Sequence, residues 1–444
     1  EALKRDVIKL LSAPAAERER LGGYARAIVA KHYSMDTMAD DAVKMYVSII
    51  KNTPINETSA DELETIDEYL VNNPLRTRGA DSDVVISGYY GFGNSGDDSI
   101  LYAIVRELKS MNPSIRIVTL SNTPKATEEM YGVDAVHRFN VFSVIRRLRR
   151  TKLLISGGGS LIQDVTSNKS LAYYLSVICL AKKFGKKVML YANGIGPISN
   201  NANANKIHKA LNNVDLITLR EPSSLEELKR FGIDKPEIRV TSDPAFNLFP
   251  ADKAEVSDVL SSCGLSNGSK YCVIALRPWK TMKSGFTEAI AQAADYINDK
   301  YKISPVFVCM QPARDTKITE AAENAMKNKG YILNRAHTTA QLLGVIDGAE
   351  FVIGMRLHAL IYAASVETPV IGIAYDPKIN AMMDYMKQEY RLPVENPNPL
   401  TICAYVDKII ENKEDISRKL AVVARDAGEK ASENARLALS LIEN

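Results

Sequence analysis

The stretch VVISGYYGFGNSGDD at residues 84–98 decides the fold of this 444-residue chain. A short β-branched run leads directly into a glycine-rich turn, and the turn leads into a segment with helical spacing. Later parts of the chain repeat this order of strand, loop and helix. Strands that read as continuous apolar runs between helices are typical of a parallel sheet covered on both faces. The expected fold class is therefore α/β.

The repeated pattern occurs in two successive series. The first series predicts strands at residues 84–87, 115–120, 153–156, 187–191 and 216–219, and the second at 271–276, 303–309, 351–353 and 370–374. Two series of similar size predict two Rossmann-like, doubly wound domains that face each other across a cleft, a GT-B-like architecture with an N-terminal helical extension. Ligands of such sheets bind beyond the carboxyl ends of the strands, so we expect the active site in the cleft.

The composition excludes several classes of protein. The chain has 56 Lys and Arg against 53 Asp and Glu, a formal charge of +3 and 46% hydrophobic residues, which argues against disorder and against nucleic acid as a partner. Its five cysteines lack metal-ligand spacing, so neither a metal nor a cofactor is expected. The sequence has no apolar run of about 18 residues and no signal-like start, and we expect a cytoplasmic protein.

Three glycine-rich loops follow predicted strands and should meet at one edge of the first sheet. They are GYYGFGNSGDD at 88–98, GGGSLIQD at 157–164 and NGIGP at 193–197. Glycine lets the backbone approach a ligand closely, and free N–H groups at a helix start can face an anion or sugar hydroxyls. Two aspartates, Asp97 and Asp98, close the first loop and would repel a nearby phosphate, so we do not expect a dinucleotide there.

Positively charged residues follow three other predicted strands. Arg220 comes after residues 216–219, Arg356 and His358 come after 351–353, and Lys378 comes after 370–374. An arginine in such a place can hold a carboxylate or phosphate with two hydrogen bonds, and a histidine can donate a proton near neutral pH. Taken singly, each arginine or lysine would more commonly form a surface ion pair. Together they predict an anion site.

From residue 83 to about residue 387 the chain resembles the polysaccharide pyruvyl transferase family, and most closely its CsaB-type cell-wall members. The resemblance rests on the three glycine loops and on LREPSS at 219–224, SDPAF at 242–246, GMRLHAL at 354–360 and YDPK at 375–378. It implies a GT-B-like fold and transfer of pyruvyl from phosphoenolpyruvate to a sugar as a ketal.

The resemblance also implies partners and site residues. The donor would be phosphoenolpyruvate, and the acceptor a lipid-diphosphate-linked saccharide ending in β-linked N-acetylmannosamine, whose 4,6-ketal anchors S-layer proteins. His358 and Arg220 would be catalytic. The donor-binding residues would be Arg220, Arg356, Leu357, His358 and Lys378. The acceptor-binding candidates are Tyr90, Asn94, Asp97, Asp98, Gly158, Gly159, Gln163 and Asp164, of which Asp97, Asp98 or Asp164 would take protons from the attacking hydroxyls.

The expected organisation has four parts. Residues 1–80 form a helical extension and linker, 81–250 the first Rossmann-like domain, 251–398 the second, and 399–444 C-terminal helices. The segment ERERLGGYAR at 17–26 resembles the C-terminal end of a retaining GT-B glycosyltransferase, and the chain begins at Glu1 rather than Met. We therefore expect a longer, bifunctional parent protein.

Two other functions fit the same fold. One is a glycosyltransferase that uses a nucleotide sugar, and the other is a saccharide-binding module without catalysis. Basic runs at 146–152 and 182–187 are either solvated faces or a peripheral contact with anionic lipid at the inner membrane face. The sequence leaves the oligomeric state open.

Overall fold

The computed structural model describes residues 82–165 and 167–443, which form two α/β units built on one parallel sheet each. The expected helical extension over residues 1–80, including its glycosyltransferase-like segment, lies outside the described residues.

The first unit contains eight strands in the order β3-β2-β1-β4-β6-β7-β8, with β5 paired to β6 beside this path. Its strands are β1 Val84–Tyr90, β2 Ile117–Ser121, β3 Asp134–His137, β4 Leu153–Ser156, β5 Gly159–Ile162, β6 Lys187–Ile195, β7 Leu216–Leu219 and β8 Glu237–Val240. Its helices are α1 Ser95–Met111, α2 Pro124–Tyr131, α3 Val141–Arg149, α4 Asn168–Lys183, α5 Asn201–Leu211 and α6 Ser223–Arg230.

The second unit follows a short 3₁₀ helix, Pro244–Asn247, and has six strands in the order β11-β10-β9-β12-β13-β14. The strands are β9 Tyr271–Ala275, β10 Ser304–Val308, β11 Tyr331–Leu333, β12 Val352–Gly354, β13 Val370–Ala374 and β14 Arg391–Pro393. The helices are α7 Lys253–Ser262, α8 Phe286–Tyr301, α9 Pro312–Asn324, α10 Thr339–Asp347, α11 Leu357–Ser365, α12 Pro377–Tyr385 and the C-terminal α13 Pro399–Glu443.

Strand β1 shows why the predicted strands are apolar throughout. Val84 and Ile86 pack on one face of the sheet in the same cluster as Ile100 of α1, whereas Val85 packs in the cluster on the opposite face with Val144 of α3. Because both faces are covered by helices, consecutive residues of the strand are buried in turn. The burial of both faces removes the alternation of apolar and polar residues that an exposed sheet face would give.

All nine predicted strands are present, with ends that differ by a few residues, and five further strands are found. Four of the five, β3, β8, β11 and β14, are the outermost strands of the two sheets. They have three or four residues each, and β3 and β8 contain no buried residue, so their sequences carry no apolar run. The fifth, β5, begins at Gly159 inside a segment that we expected to be a loop.

Helix α13 joins the two units. Its first part, before a kink at Asn412, packs Ile402, Val406 and Ile409 into the core of the second unit. Near its end, Ala435 and Ala438 pack into a core of the first unit. The helix therefore fixes the position of one sheet relative to the other, and with it the width of the space between them.

The fully buried Asn434 of α13 makes a polar contact with Thr241 and Ser242 at this junction. Its amide donates to the Ser242 carbonyl over 3.2 Å, and its oxygen accepts from the Thr241 hydroxyl over 2.8 Å. We expect Asn434→Leu to lower the free energy of unfolding by about 1 to 3 kcal/mol, because it leaves buried polar groups without partners. Urea titration measures this, with Arg436→Leu at an exposed position of α13 as the control. Equal stability of the two variants would contradict the prediction.

Candidate active site

A cleft of about 410 Å³ lies between the two units, where the carboxyl ends of both sheets face each other. Loops after β1, β7, β9, β10, β12 and β13 line it, together with residues in and just after β5. The cleft brings together nine of the residues that the sequence indicated: Asn94, Asp97, Gly159, Gln163, Arg220, Arg356, Leu357, His358 and Lys378.

Tyr90 and Gly158, two of the expected acceptor-binding residues, do not line the cleft. Tyr90 is 1% exposed, and its ring fills the space left by the absent side chains of Gly88 and Gly157. Gly158 is buried against Ile100. These two residues support the shape of the loops from inside the unit.

Asp164 also differs from the expectation, because its carboxylate is used within the fold. It accepts hydrogen bonds from the backbone N–H groups of Ser199 and Asn200 and from the Asn203 amide, at 2.9 to 3.0 Å. Partial burial would raise the pKa of Asp164, but these hydrogen bonds outweigh that effect and lower the pKa below its ordinary value. Asp164 therefore holds the segment that leads into α5.

Asp98 faces a second cavity, of about 480 Å³, on the other side of the start of α1. This cavity is lined mainly by apolar groups, with Tyr102, Tyr131, Arg335 and His337 among its polar side chains. Consecutive residues of α1 point in different directions, so Asp97 reaches the cleft while Asp98 does not. The two aspartates, both expected among the acceptor-binding residues, therefore face different cavities.

The start of α1 touches the second unit directly. The Ser95 N–H donates to the Met310 carbonyl over 2.9 Å, and the Tyr362 hydroxyl donates to the Ser95 carbonyl over 2.9 Å. Beside this contact, a Cβ added to Gly96 would overlap the imidazole of His358. Glycine at position 96 thus allows the backbone of one unit to lie against a side chain of the other.

A buried ionic cluster surrounds Arg220. The guanidinium is 1% exposed, and it donates to Glu221 over 2.8 Å, to Asp243 over 3.3 Å and to the Ser160 hydroxyl over 3.0 Å. Gly194 leaves room for this guanidinium, since a Cβ there would lie 2.9 Å from Arg220 Nη2. Arg220 is therefore held in one position and is paired with two carboxylates, those of Glu221 and Asp243.

Asp243 links this cluster to His358 of the second unit. Its carboxylate is fully buried and lies 3.6 Å from His358 Nε2. Burial alone would raise the pKa of Asp243, but the neighbouring His358 and Arg220 hold it below the ordinary value. The imidazole thus stands in the cleft between a backbone segment at Gly96 and a permanent negative charge at Asp243.

Arg356 is neutralised in the same way as Arg220. Its Nε donates to Asp315 Oδ2 over 3.0 Å, and its Nη2 donates to Asp315 Oδ1 and to the Gln311 side chain. Asp315 is itself fully buried. Each of the two predicted arginines therefore reaches the cleft already paired with buried carboxylates.

Asp97 is a carboxyl group of the cleft whose pKa differs strongly from its ordinary value. Burial and the nearby Asp98 raise the pKa of Asp97 to about 7, although a hydrogen bond from Asn94 and the positive charges of Arg220 and Arg356 act in the opposite direction. A carboxyl group that titrates near neutral pH can both accept and release a proton, which is a property of acid and base groups in active sites.

Sequence reasoning missed several residues that line the cleft, among them Arg277, Arg314 and Tyr375. Arg277 comes just after β9, in the same kind of position as Arg220 after β7. Its Nη1 donates to the Tyr375 hydroxyl over 2.7 Å, and Trp279 packs on Tyr375 with ring centroids 4.6 Å apart. The place of Arg277 after a predicted strand was the signal that could have identified it.

Over residues 82–165 and 167–443, no group of three or more His, Cys, Asp or Glu could hold a metal ion. Within the same ranges, no helix combines the length and the apolar character needed to cross a membrane.

Comparison with known proteins adds the family to this geometry. The sequence pattern of the polysaccharide pyruvyl transferase family matches residues 94–377, which is more than half of the chain. The chain belongs to the polysaccharide pyruvyl transferase family. The amylovoran biosynthesis protein AmsJ of Erwinia amylovora is 22% identical over 292 residues, covering 62% of this chain and 69% of AmsJ. The family makes this chain a transferase of polysaccharide biosynthesis.

Solved structures agree on the fold. The S. aureus MnaA–UDP co-structure superposes with a TM-score of 0.57 at 12% identity, covering 82% of this chain and 98% of MnaA. UDP-GlcNAc 2-epimerase from Neisseria meningitidis gives a TM-score of 0.58 at 11% identity, with 81% of this chain and 100% of the epimerase covered. The expected GT-B-like α/β fold of this pyruvyl transferase family member is confirmed.

Asp97 in the cleft and the fully buried Asp243 have pKa values shifted in opposite directions, which predicts different effects of pH on stability. The raised pKa of Asp97 means that the unfolded chain, where Asp ionises near pH 3.8, loses this proton before the folded chain does. Asp97 therefore costs stability as the pH rises from about 4 to 7, and this cost persists above pH 7. The free energy of unfolding of Asp97→Asn, taken relative to that of the wild type, should therefore be higher at pH 8 than at pH 4.5. We expect this increase to be at least about 1 kcal/mol.

Asp243→Asn is the matched control, because the pKa of Asp243 is lowered in the folded chain. The stability from Asp243 is present above its unfolded pKa of 3.8 and is lost as the pH falls through the lower folded value. Asp243→Asn should therefore be less stable than wild type at pH 8, as urea unfolding at both pH values would measure. An equal change in stability between pH 4.5 and pH 8 for both variants would contradict the prediction, because the contribution of Asp243 is already present at pH 4.5.

Proposed function

We propose that the chain transfers the pyruvyl unit of phosphoenolpyruvate to two hydroxyls of a sugar, forming a ketal and releasing phosphate. One observation carries this proposal. The cleft holds an imidazole, His358, together with the carboxyl group of Asp97, whose pKa is about 7, and with several cations. Proton donor, proton acceptor and anion-binding groups are what the reaction of a phosphorylated enol with hydroxyl groups requires.

In the proposed mechanism His358 protonates the methylene carbon of the donor. The carbon that bears the phosphate then becomes an oxocarbenium centre, and one sugar hydroxyl adds to it and loses its proton. Cleavage of the bond between this carbon and the phosphate oxygen restores an oxocarbenium centre, which the second hydroxyl attacks with loss of its proton. Two C–O bonds form and one breaks, while one hydroxyl proton replaces the proton that His358 gave and the other leaves with phosphate. The Asp243 carboxylate, 3.6 Å from His358 Nε2, holds the imidazole in one orientation.

Asp97 is the proposed base for the attacking hydroxyls. Of the three aspartates considered for this role, it is the one that lines the cleft, since Asp98 faces the second cavity and Asp164 is bonded to the segment before α5. Its pKa near 7 lets it accept a proton at neutral pH and release it again after the reaction. Gly159 and Gln163 lie along the same wall and are proposed to contact the acceptor.

The finer proposal concerns the acceptor and the place of action. Resemblance to CsaB-type members supports a lipid-diphosphate-linked saccharide ending in β-linked N-acetylmannosamine, and a 4,6-ketal product that anchors S-layer proteins. The basic residues Arg146, Arg147 and Arg149 in the last turn of α3 support peripheral contact with anionic lipid at the inner membrane face. Vesicle sedimentation at low and high salt tests the membrane contact, because electrostatic binding is lost at high salt.

The direct test of function is phosphate release from phosphoenolpyruvate in the presence of a synthetic lipid-diphosphate disaccharide ending in N-acetylmannosamine. Acceptor-dependent release, with a pyruvyl ketal on the product by mass spectrometry, is the expected result. Binding of phosphoenolpyruvate without turnover would reject this acceptor. Binding of uridine diphosphate but not of phosphoenolpyruvate would favour a glycosyltransferase and overturn the proposal.

Two variants separate the chemistry of His358 from its position. His358→Gln should lower kcat by about a hundredfold or more with little effect on donor KM, because the general acid is lost. Gly96→Ala keeps the histidine, but the added methyl group displaces its imidazole ring. This variant should lower kcat roughly tenfold or more. Ser110→Ala, at an exposed position of α1, is the control. Normal kcat in Gly96→Ala would show that the position of the ring does not matter.

A further inference from the structure

The charges of the cleft are distributed unevenly. Arg220 and Arg356 each hold buried carboxylates, so the ion pairs around them contribute little net positive charge. A donor with a carboxylate and a phosphate carries several negative charges. The cations that attract it must therefore include others, and Arg277, Arg314 and Lys378 are the remaining ones that line the cleft.

Arg277 is unusual among the described arginines near the cleft, because it is largely covered and yet lacks an acidic partner. Within residues 82–165 and 167–443, its hydrogen-bond partner is the hydroxyl of Tyr375, and its buried Nε has none. Burial, together with repulsion by Arg356, lowers the pKa of Arg277, although an arginine remains charged at neutral pH. A covered cation without an anion is costly, and an incoming anion would relieve that cost.

Tyr375 brings a second cation to the same place. The Arg277 guanidinium lies 4.5 Å from the centroid of the Tyr375 ring, and the Lys378 ammonium lies 5.5 Å from it. Lys378 has an acidic neighbour, Asp376, at 3.7 Å, which is beyond hydrogen-bond distance. The two cations thus flank one aromatic ring at the wall of the cleft, and among the described residues the Arg277 Nε has no hydrogen-bond partner.

Resting on the proposed function, we infer that Arg277 and Lys378 form the subsite for the phosphate group of the donor, oriented by Tyr375. Arg277 offers a planar set of N–H donors and Lys378 a single compact charge, which together suit a dianionic phosphate. Arg220 and Arg356 are assigned a different role. Each is fixed by its own carboxylates and shapes the cleft around His358 and Asp97.

This division has a chemical consequence. Phosphate leaves during the reaction, and its negative charge grows on the leaving oxygen as the C–O bond breaks. Cations held next to the leaving group stabilise that charge in the transition state. A subsite with unbalanced charge also binds the product phosphate, so inorganic phosphate should act as a competitive inhibitor.

The test measures donor binding by isothermal calorimetry in the wild type and in Arg277→Gln. Loss of a charged hydrogen-bonding group in a covered site should weaken phosphoenolpyruvate binding by about tenfold or more. Inorganic phosphate should lose affinity in parallel. Pyruvate, which has the carboxylate but no phosphate, should compete equally well in both proteins. Arg335→Gln, which removes the same charge in the second cavity, is the matched control and should bind the donor like the wild type.

Tyr375→Phe provides a milder variant in case Arg277→Gln folds poorly. It removes the hydroxyl that accepts from Arg277 and preserves the ring, and we expect a several-fold loss of affinity for phosphoenolpyruvate and for phosphate. Unchanged phosphate binding in both folded variants would overturn the inference. A loss of pyruvate competition equal to that of phosphate would also overturn it, because Arg277 would then bind the carboxylate.

Binding of inorganic phosphate and of phosphoenolpyruvate, measured separately, distinguishes failure of the subsite from failure of the proposed function. If phosphoenolpyruvate does not bind the wild type, but inorganic phosphate binds it and not Arg277→Gln, the anion subsite stands and the donor is wrong. If neither inorganic phosphate nor phosphoenolpyruvate binds the wild type, the subsite is rejected as well.

Discussion

The position of the cleft depends on one buried carboxylate, Asp243, which lies between Arg220 of its own unit and His358 of the other. A fully buried aspartate is unfavourable without partners, and here the Arg220 guanidinium comes from its own unit and the His358 imidazole from the other. Separation of the units would expose a charge pair on one side and leave the imidazole unsupported on the other. The geometry of the candidate acid is therefore linked to the packing of the two sheets.

Other contacts reinforce the same arrangement. The backbone of α1 meets the second unit at Ser95 and Gly96, and the long helix α13 packs into the cores of both units. These contacts combine hydrogen bonds to the Ser95 backbone with buried side-chain packing along α13, so they define a single separation of the units better than surface ion pairs would. A site built from both units needs this precision, because misplacement by about 1 Å can cost a large part of the rate.

The sequence was sufficient for the architecture and for nine cleft residues, for clear physical reasons. Central strands such as residues 84–87 are buried on both faces and read as apolar runs, while the edge strands β3 and β8 are exposed and do not. Residue type and position after a strand identified Arg220 and His358. Their surroundings were not readable, because Asp243 lies 23 residues from Arg220, and Asp315 lies 41 residues from Arg356. Pairing between distant residues is decided by the fold.

A crystal structure of the chain with phosphoenolpyruvate bound would test the distribution of charge in the cleft most directly. We predict that the phosphate contacts Arg277 and Lys378, that the methylene carbon faces His358, and that Arg220 keeps its bonds to Glu221 and Asp243. A donor found in the second cavity beside Asp98, or an Arg220 that leaves Asp243 to bind the donor, would contradict it.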